Sequence, residues 1–207
     1  MLLNYPEKEA LNEYLNVVSD ETQKIVKNID YSKLIEAANI ILEAEQNNNR
    51  VHVTGIGKPA HLSGYIASLL SSTGTPAYIL HGTEAVHGSA GQVVPGDVVI
   101  AISNSGETAE LKSTVRTLKG NGAKIISVTG NKDSWLAREG DVALIASVEK
   151  EGGRLNKAPR LSIIAETIVL QSLSILLQEK KALTLEQYGK WHPGGSLGES
   201  IRELIAN

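Results

Sequence analysis

The sequence predicts an α/β fold, a three-layer sandwich built on a five-stranded, parallel, doubly wound sheet of the flavodoxin type. Short apolar runs that end in Gly or Ser alternate with longer segments of helical periodicity, the pattern of repeated βαβ units. Right-handed crossovers leave few ways to join five such strands. With 42% hydrophobic but only 4% aromatic residues, the core must be largely aliphatic.

The elements follow in order from the periodicity. Apolar residues recur at helical spacing from Glu7 to about Asn28, and a second helix is expected to begin at the capping residue Ser32. The expected strands are 51–54, 77–80, 97–102, 124–128 and 142–146. The expected later helices are 60–72, 108–121, 133–138 and 161–177, followed by two short ones. We expect one domain over residues 1–207, with N-terminal helices in 1–48 and the sheet, its covering helices and the tail in 49–207.

Composition and charge exclude several classes of protein. Lys plus Arg number 20 and Asp plus Glu 23, and because the net charge of −3 is spread along the chain, no nucleic-acid partner is expected. The absence of Cys excludes disulfides, thiolate nucleophiles and Cys-ligated zinc. Residues 1–6 lack a signal-peptide pattern, and we find no run of the roughly 20 apolar residues that a bilayer span needs. We therefore expect a cytoplasmic protein without a membrane partner.

The loop after the first strand carries the first candidate chemistry, because open α/β sheets bind ligands beyond the carboxyl ends of their strands. Residues 54–60 have the form Gly-x-Gly-x-x-Ala. No acidic residue ends the second strand to bind a ribose, and P-loop spacing is absent, so both nucleotide interpretations are weak. Gly55 and Gly57 would let a ligand approach the backbone while Lys58 offers a cation. A tight turn with a solvated lysine is the alternative.

The loop after the third strand is a candidate phosphate site. Its polar side chains are Ser103, Asn104, Ser105 and Thr108. They stand beside the free N–H groups and the positive dipole end of the next helix, which favour an anion. Ordinary helix capping is the alternative. Glu107 and Glu110 would repel an anion unless one of them points away or takes part in chemistry.

Five strings in matching order point to one family. They are Gly55-Ile56-Gly57-Lys58, Ser72-Thr73-Gly74-Thr75-Pro76, Glu84-Ala85-Val86-His87-Gly88, Ala101-Ile102-Ser103-Asn104-Ser105-Gly106-Glu107 and His192-Pro193-Gly194-Gly195-Ser196-Leu197-Gly198. Over about residues 30–200 the chain resembles the sugar isomerase (SIS) domain of the arabinose 5-phosphate isomerases. The resemblance implies a phosphosugar aldose–ketose isomerase that interconverts ribulose 5-phosphate and arabinose 5-phosphate through an enediol, without a redox cofactor.

The resemblance also implies roles for individual residues. The expected catalytic residues are Lys58, Glu110, Glu151 and His192, and the expected substrate-binding residues are Gly55, Gly57, His87, Ser103, Asn104, Ser105 and Thr108. An enediol needs a carboxylate base near the carbon and a cation near the oxygens, and ring opening suits imidazole, which titrates near neutral pH. Which Glu takes the carbon-bound proton stays open. From the residues alone, Glu151 could be a solvated loop carboxylate and His192 a turn residue packed by Trp191. No metal is expected, because no pair of His has the spacing of a helical metal site.

Two departures from the family concern the substrate and regulation. After Pro159, where the family has a run of Ser and Thr, the chain has Arg160-Leu161-Ser162. The loop is basic through Arg154, Lys157 and Arg160, which suits a solvated face or a contact for a more anionic substrate. The alternative substrate is therefore another phosphosugar, a hexulose 6-phosphate or a heptose phosphate. The family's second, tandem CBS domain has no room within 207 residues, so we expect the SIS domain alone.

The sequence also bears on oligomerisation and on a non-catalytic alternative. Apolar positions surround much of the 161–177 helix and line the two N-terminal helices, which predicts a homodimer or homotetramer. His192, near the chain end, would then reach a neighbouring subunit's site, as in related isomerases. A sugar-phosphate sensor is the alternative from another class, but the roughly 30 residues before the second helix are too few and too acidic for a DNA-binding domain.

Overall fold

The protein's structure, a computed structural model, describes residues 5–206. Residues 1–4 and 207 lie outside the described residues, and so does most of the segment on which the absence of a signal peptide was judged. The helices are α1 (Tyr5–Lys27), α2 (Tyr31–Gln46), α3 (Lys58–Ser72), α4 (Ala109–Gly120), α5 (Trp135–Glu139), α6 (Leu161–Lys180), α7 (Leu185–Trp191) and α8 (Gly195–Ala206). The strands are β1 (Val51–Gly55), β2 (Ala77–Ile79), β3 (Val98–Ile102), β4 (Lys124–Thr129) and β5 (Val142–Ile145).

The five strands form one parallel sheet in the order β2-β1-β3-β4-β5, which confirms the predicted fold class. This is the flavodoxin-like order, in which the chain reverses direction across the sheet between β1 and β3. At that point Gly55, the last residue of β1, pairs with Ile102, the last residue of β3. Each strand differs from its expected bounds by one residue at one end.

Helices cover both faces of the sheet with aliphatic side chains. One core lies between the sheet and α2, α3 and α6, and it includes Ile41, Ile66, Ile100 and Leu173. The other core lies between the sheet and α4, α5 and two short 3₁₀ helices, Ala85–His87 and Ser89–Gln92. The loop after β1 thus enters a helix on one face, and the loop after β3 enters a helix on the other.

Two details differ from the sequence expectations. Asp30, not Ser32, caps α2, because its Oδ1 accepts hydrogen bonds from the Ser32 and Lys33 N–H groups at 2.9 and 3.1 Å. Helix α6 is long and apolar enough to cross a bilayer, which corrects the expectation that no such stretch exists. In this fold it is a core helix, because it packs on α1, α2 and α3 with nine buried residues.

Asp97 ties the amino-terminal ends of β1 and β3 together. Its Oδ1 accepts from the Arg50 N–H and from Asn49 Nδ2, and its Oδ2 accepts from the Val94 N–H and from His52 Nε2, at 2.9 to 3.1 Å. The side chain is buried. Burial by itself raises the pKa of the Asp97 carboxyl, but these donors together outweigh it and hold the pKa below its ordinary value.

Replacing this carboxylate tests how strongly it holds the two strands. In the Asp97→Asn protein an NH₂ group would face two of the four donors, so we expect a loss of about 3 kcal/mol in the free energy of unfolding near pH 7. Because the folded-state pKa of Asp97 is lowered, the wild-type advantage is present above the ordinary carboxyl pKa of 3.8 and shrinks as pH falls below it. Urea unfolding at neutral and acidic pH measures both effects.

Asp141→Asn is the matched control, because Asp141 accepts the Ile125 N–H at the same edge but is exposed. Asp141→Asn should lower the free energy of unfolding by clearly less than Asp97→Asn does. Equal losses for the two variants, or a loss for Asp97→Asn that does not depend on pH, would contradict the assigned role.

Candidate functional site

The candidate site lies where the loops after β1 and β3 diverge. Gly55 is packed so closely that an added Cβ would lie 2.8 Å from Pro59 Cβ and 3.1 Å from the Ile102 carbonyl oxygen. The backbones of the two strand ends therefore touch without an intervening side chain. Beyond this point α3 and α4 start on opposite faces, which leaves a crevice of the kind that binds ligands in doubly wound sheets.

Lys58 stands on the α3 side of this crevice. It is the first residue of α3, directly after Gly57, whose φ of 69° places it in the left-handed region. The lysine side chain is exposed, and no carboxylate within residues 5–206 pairs with it. No side chain caps α3 either. The structure therefore presents a mobile cation and open helix N–H groups at the carboxyl edge of the sheet.

The loop after β3 is held rigidly by hydrogen bonds. The Oγ atom of the buried Ser103 lies 3.2 Å from Thr108 Oγ1 and accepts the Gly106 N–H at 3.2 Å. Gly106 has a φ of 64° and packs on Ser134, leaving no room for a Cβ. The Asn104 carbonyl oxygen accepts the Gly130 N–H at 2.9 Å, while the Asn104 side chain is exposed over Gly130. The backbone of this loop is thus fixed before any ligand binds.

The start of α4 is open to an anion. Ser105 Oγ accepts the Glu107 N–H at 3.2 Å, ahead of the helix, so Ser105 is not the cap of α4. Thr108 is at the N-cap position, but no side chain caps the helix. The N–H groups of the first turn and the hydroxyls of Ser103, Ser105 and Thr108 lie together at the positive end of the helix dipole. This arrangement favours a phosphate group.

The two acidic residues of this segment have different surroundings. Glu107 pairs with Lys112 and accepts the Trp135 N–H at 2.7 Å. The hydrogen bond from Lys112 is the larger of these two effects, and together they hold the pKa of Glu107 below its ordinary value. Glu110 lies in the first turn of α4, is exposed, and has no hydrogen bond or ion pair with any described residue. Glu110 is therefore the carboxylate that is available for chemistry.

Glu151 is anchored at the start of α6. Its Oε2 accepts the Arg160 N–H at 2.6 Å and the Ser162 N–H at 3.2 Å, and its own N–H donates to Asn156 Oδ1 at 2.8 Å. The residue is half-buried. The description as a solvated loop carboxylate does not fit this geometry. One carboxylate oxygen is bound to the helix start, while Oε1 has no hydrogen-bond partner among the described residues.

Glu166 is not among the predicted site residues, although it has the most perturbed carboxyl in the described chain. It lies on α6 with 0% exposure, and neither carboxylate oxygen has a hydrogen-bond partner among the described residues. Burial, with a smaller contribution from the negative charge of Glu151, raises the pKa of Glu166 to about 8. An acidic residue four positions after Ser162 on an apolar helix is the sequence signal that could have revealed it.

His192 lies at the other edge of the sheet. Its Nδ1–H donates to the Tyr188 carbonyl oxygen at 2.9 Å, and its ring stacks on that of Tyr188 with centroids 4.0 Å apart. The neighbouring Trp191 packs on Gly74, which follows the carboxyl end of α3. Since α3 has 15 residues and starts at Lys58, the two ends are roughly 20 Å apart. Within one chain, His192 is therefore not brought to Lys58.

The remaining predicted residues are exposed. His87 ends a 3₁₀ helix that packs on α4, and no hydrogen bond or ion pair joins it to another predicted site residue in the described range. Arg160 donates to the Gly152 carbonyl oxygen at 3.4 Å and lies over the Tyr14 ring, while Arg154 and Lys157 are exposed on the same loop. Lys58, Glu110 and Glu151 thus share one edge of the sheet with the Ser103–Thr108 loop, and His192 does not.

Comparisons with known proteins point to one family. The family model of the SIS domain matches residues 46–176. Arabinose 5-phosphate isomerase KdsD of Pseudomonas aeruginosa is 40% identical over 167 residues, which cover 81% of this chain and 50% of the relative. KdsD of Francisella tularensis is 38% identical over 187 residues, covering 90% and 57%. The chain thus spans about half the length of these relatives.

A solved structure is also similar over nearly the whole chain. The structure of c3406 from E. coli CFT073, in complex with arabinose 5-phosphate, superimposes with a TM-score of 0.84 at 31% identity. The match covers 93% of this chain and 100% of the other. Similarity therefore extends from the SIS core to most of the N-terminal helices and the tail.

Proposed function

The chain belongs to the SIS domain family, and from that premise we propose that it is a sugar-phosphate aldose–ketose isomerase that interconverts ribulose 5-phosphate and arabinose 5-phosphate. One observation carries the proposal: the start of α4, where Thr108 makes no capping hydrogen bond, and the hydroxyls of Ser103, Ser105 and Thr108 lie across the crevice from Lys58, which has no ion pair with any described carboxylate. An anion nest beside a free cation suits a phosphorylated substrate whose reaction develops negative charge on oxygen. The similarity to the KdsD isomerases and to the arabinose 5-phosphate complex supports this choice of sugar.

In the proposed mechanism the phosphate binds the start of α4 and the sugar extends into the crevice. A carboxylate removes a proton from C1 of the ketose, and the electron pair of the C–H bond forms the C1–C2 double bond of an enediolate. The Lys58 ammonium stabilises the developing charge on the oxygens. Return of the proton to C2, with transfer of the C1 hydroxyl proton to the oxygen on C2, gives the aldose with its C1 carbonyl and C2 hydroxyl. Glu110 and Glu151 are the two candidate bases.

We propose that His192 of a second copy of the chain opens the ring of the cyclic aldose. His192 lies roughly 20 Å from the Lys58 edge of its own chain, by the length of α3. An apolar stripe on α1 is exposed in the single chain: Leu11 is 48% exposed, Leu15 is 52% exposed and Val26 is 53% exposed. We propose a homodimer or homotetramer in which this surface is covered and the site is completed by the neighbour. A charged phosphosugar does not cross a membrane unaided, so it stays in the compartment where it is made. The proposal therefore places the protein in the cytoplasm with its substrate.

Turnover of a defined phosphosugar tests the function directly. Purified protein without added cofactor should convert ribulose 5-phosphate to arabinose 5-phosphate, and in deuterated water the product should carry deuterium at C2. The segment Arg160-Leu161-Ser162 favours testing hexulose 6-phosphates and heptose phosphates in the same panel. Exclusive turnover of another sugar would correct the substrate, whereas tight binding without turnover of any sugar would favour a sensor.

Substitutions should separate catalysis from phosphate binding. Glu110→Gln and Glu151→Gln should each lower kcat by about 10²–10⁴-fold with little change in substrate binding. Ser103→Ala and Thr108→Ala should mainly raise KM, by about 10- to 150-fold, because a lost hydrogen bond to a charged phosphate costs roughly 1.5–3 kcal/mol. Steady-state kinetics measures both effects.

The chain offers a matched control for each Glu variant. Glu107 is bound to Lys112 and the Trp135 N–H, and Glu149 is an exposed carboxylate paired with Lys24. Glu107→Gln and Glu149→Gln should keep near wild-type kcat. If Glu110→Gln and Glu151→Gln behave like these controls, the acid–base assignment is wrong.

Mixed oligomers test whether the site is shared. A His192→Ala chain and a Glu110→Gln chain, each inactive, should regain activity after subunit exchange, because some interfaces then carry one intact site. Exchange is followed by mass spectrometry of differently tagged chains. Activity no higher than the average of the parents, with exchange confirmed, would show that each site is built from one chain.

A further inference from the structure

The turn between α3 and β2 lies away from the crevice, although one of the five family strings, Ser72 to Pro76, spans it. Thr73 ends α3, and its Oγ1 donates to the Leu69 carbonyl oxygen at 3.0 Å. Gly74 follows with a φ of 89°, in the left-handed region that favours glycine, and Thr75 is buried. The turn is thus fixed by its own packing, but it takes no part in the proposed chemistry.

Lys181 binds this turn from the end of α6. Its Nζ donates to the Gly74 carbonyl oxygen at 3.0 Å and to Thr75 Oγ1 at 2.6 Å, and it pairs with Glu45 Oε1 of α2 at 2.6 Å. The side chains of this ion pair are only 18% and 19% exposed. Three acceptors match the three ammonium protons, so Lys181 fixes the point at which the chain leaves α6.

Trp191 returns to the same turn at the end of α7. A Cβ added to Gly74 would lie 2.5 and 2.8 Å from two atoms of the Trp191 indole, so the ring rests directly on the glycine. The segment from Lys181 to Trp191 is therefore fastened to Gly74 at both ends, through the carbonyl oxygen and through the side where a side chain would stand. Any residue larger than glycine at this position would push the ring off the turn.

His192 follows Trp191 and is held within a pair of short helices. Its Nδ1–H donates to the Tyr188 carbonyl oxygen at 2.9 Å, and its ring stacks on that of Tyr188. Helix α7 packs on α8 at Gly189, where an added Cβ would lie 2.8 Å from Ile201. The imidazole thus has a fixed orientation relative to α7 and α8, and Trp191 joins these two helices to the sandwich.

We infer that Gly74, Lys181 and Trp191 form a clamp that positions His192 for the site of a neighbouring subunit. Lys181 and Trp191 are positioning residues: neither touches the sugar, and both act through the imidazole of their own chain. Precise placement matters, because a shift of about 1 Å in a reacting group can lower a rate by about 10²-fold. The catalytic consequence rests on the proposed isomerase function with its shared site, but the clamp itself does not.

Tryptophan fluorescence tests the clamp without any substrate. The sequence contains 2 Trp, so Trp135→Phe leaves Trp191 as the one emitting indole. In that background Lys181→Met and Gly74→Ala should shift the Trp191 emission to longer wavelength and increase its quenching by acrylamide, because the ring loses its contact with the turn. Unchanged emission and quenching in either variant would overturn the inference. If Gly74→Ala does not fold, Lys181→Met decides alone.

The chain offers a matched control for each variant. Lys119 also donates to a carbonyl oxygen and a carboxylate, both of Glu139, at 2.8 and 2.9 Å. Gly96 has a φ of 91°, close to the value at Gly74, and likewise leaves no room for a Cβ. Lys119→Met and Gly96→Ala should leave the Trp191 emission unchanged. Equal shifts in the controls and in the clamp variants would indicate general loosening of the fold and would overturn the clamp.

Kinetics of mixed oligomers tests the link to His192. Trp191→Ala should lower kcat by about 10²-fold with little change in KM, because the Ser103–Thr108 loop is left intact. After subunit exchange, the Trp191→Ala chain should regain activity with a Glu110→Gln chain, which supplies a correctly held His192. It should regain none with a His192→Ala chain, because both chains then lack the same half of the site.

The pattern of recovery separates positioning from a structural defect. Recovery with the His192→Ala chain, or no recovery with the Glu110→Gln chain, would overturn the positioning role. If the His192→Ala and Glu110→Gln chains do not restore activity to each other, or if the wild-type protein has no turnover, the proposed function is refuted instead. The catalytic consequence then falls with it, and the Trp191 fluorescence decides the clamp alone.

Discussion

The contact between the carboxyl ends of β1 and β3 is the constraint on which the site depends. Gly55 pairs with Ile102 at the sheet centre, and the lack of space for a Cβ there brings the two backbones together. From this fixed point one chain segment turns to Lys58 and the other to Ser103. A parallel sheet collects strand ends and helix starts at one edge, and the reversal between these two strands opens the crevice there. The functional groups are thus held by buried backbone and not by flexible loops.

The electrostatic potential around the crevice depends on which charged groups have ion-pair or hydrogen-bond partners. Glu107 is neutralised by Lys112, and Glu151 is bound to the first N–H groups of α6. The start of α4 and Lys58 keep their positive potential, because no side chain caps that helix and no described carboxylate pairs with the lysine. Glu166 is buried without a hydrogen-bond partner within residues 5–206, and the raised pKa that results favours its neutral form at pH 7. An anionic ligand therefore meets a site in which Glu107 and Glu151 are held by hydrogen bonds and Glu110 is the carboxylate left free among the described residues.

In the single chain, the tail keeps His192 away from the crevice, and helix α1 leaves apolar side chains exposed. His192 is held by Tyr188 at the opposite edge of the sheet from Lys58, and the stripe that includes Leu15 on α1 is exposed to solvent. Both features concern surfaces outside the sandwich core. They make a second copy of the chain part of the functional proposal, whereas the loop from Ser103 to Thr108 is already held by its own hydrogen bonds in one chain.

The α/β class could be predicted from the sequence alone, as could the five strands with their helices and the two loops that carry Lys58 and Ser103 to Thr108. These features depend on local periodicity, turn residues and the direction of parallel strands, which are readable along the chain. Which carboxylates are free could be seen only in the folded chain. Glu107 and Glu110 look alike in sequence, but Glu107 binds Lys112 and the Trp135 N–H. Likewise, that Glu166 is buried and that His192 lies at the opposite edge of the sheet from Lys58 depends on packing, because burial and charge are set by residues distant in sequence.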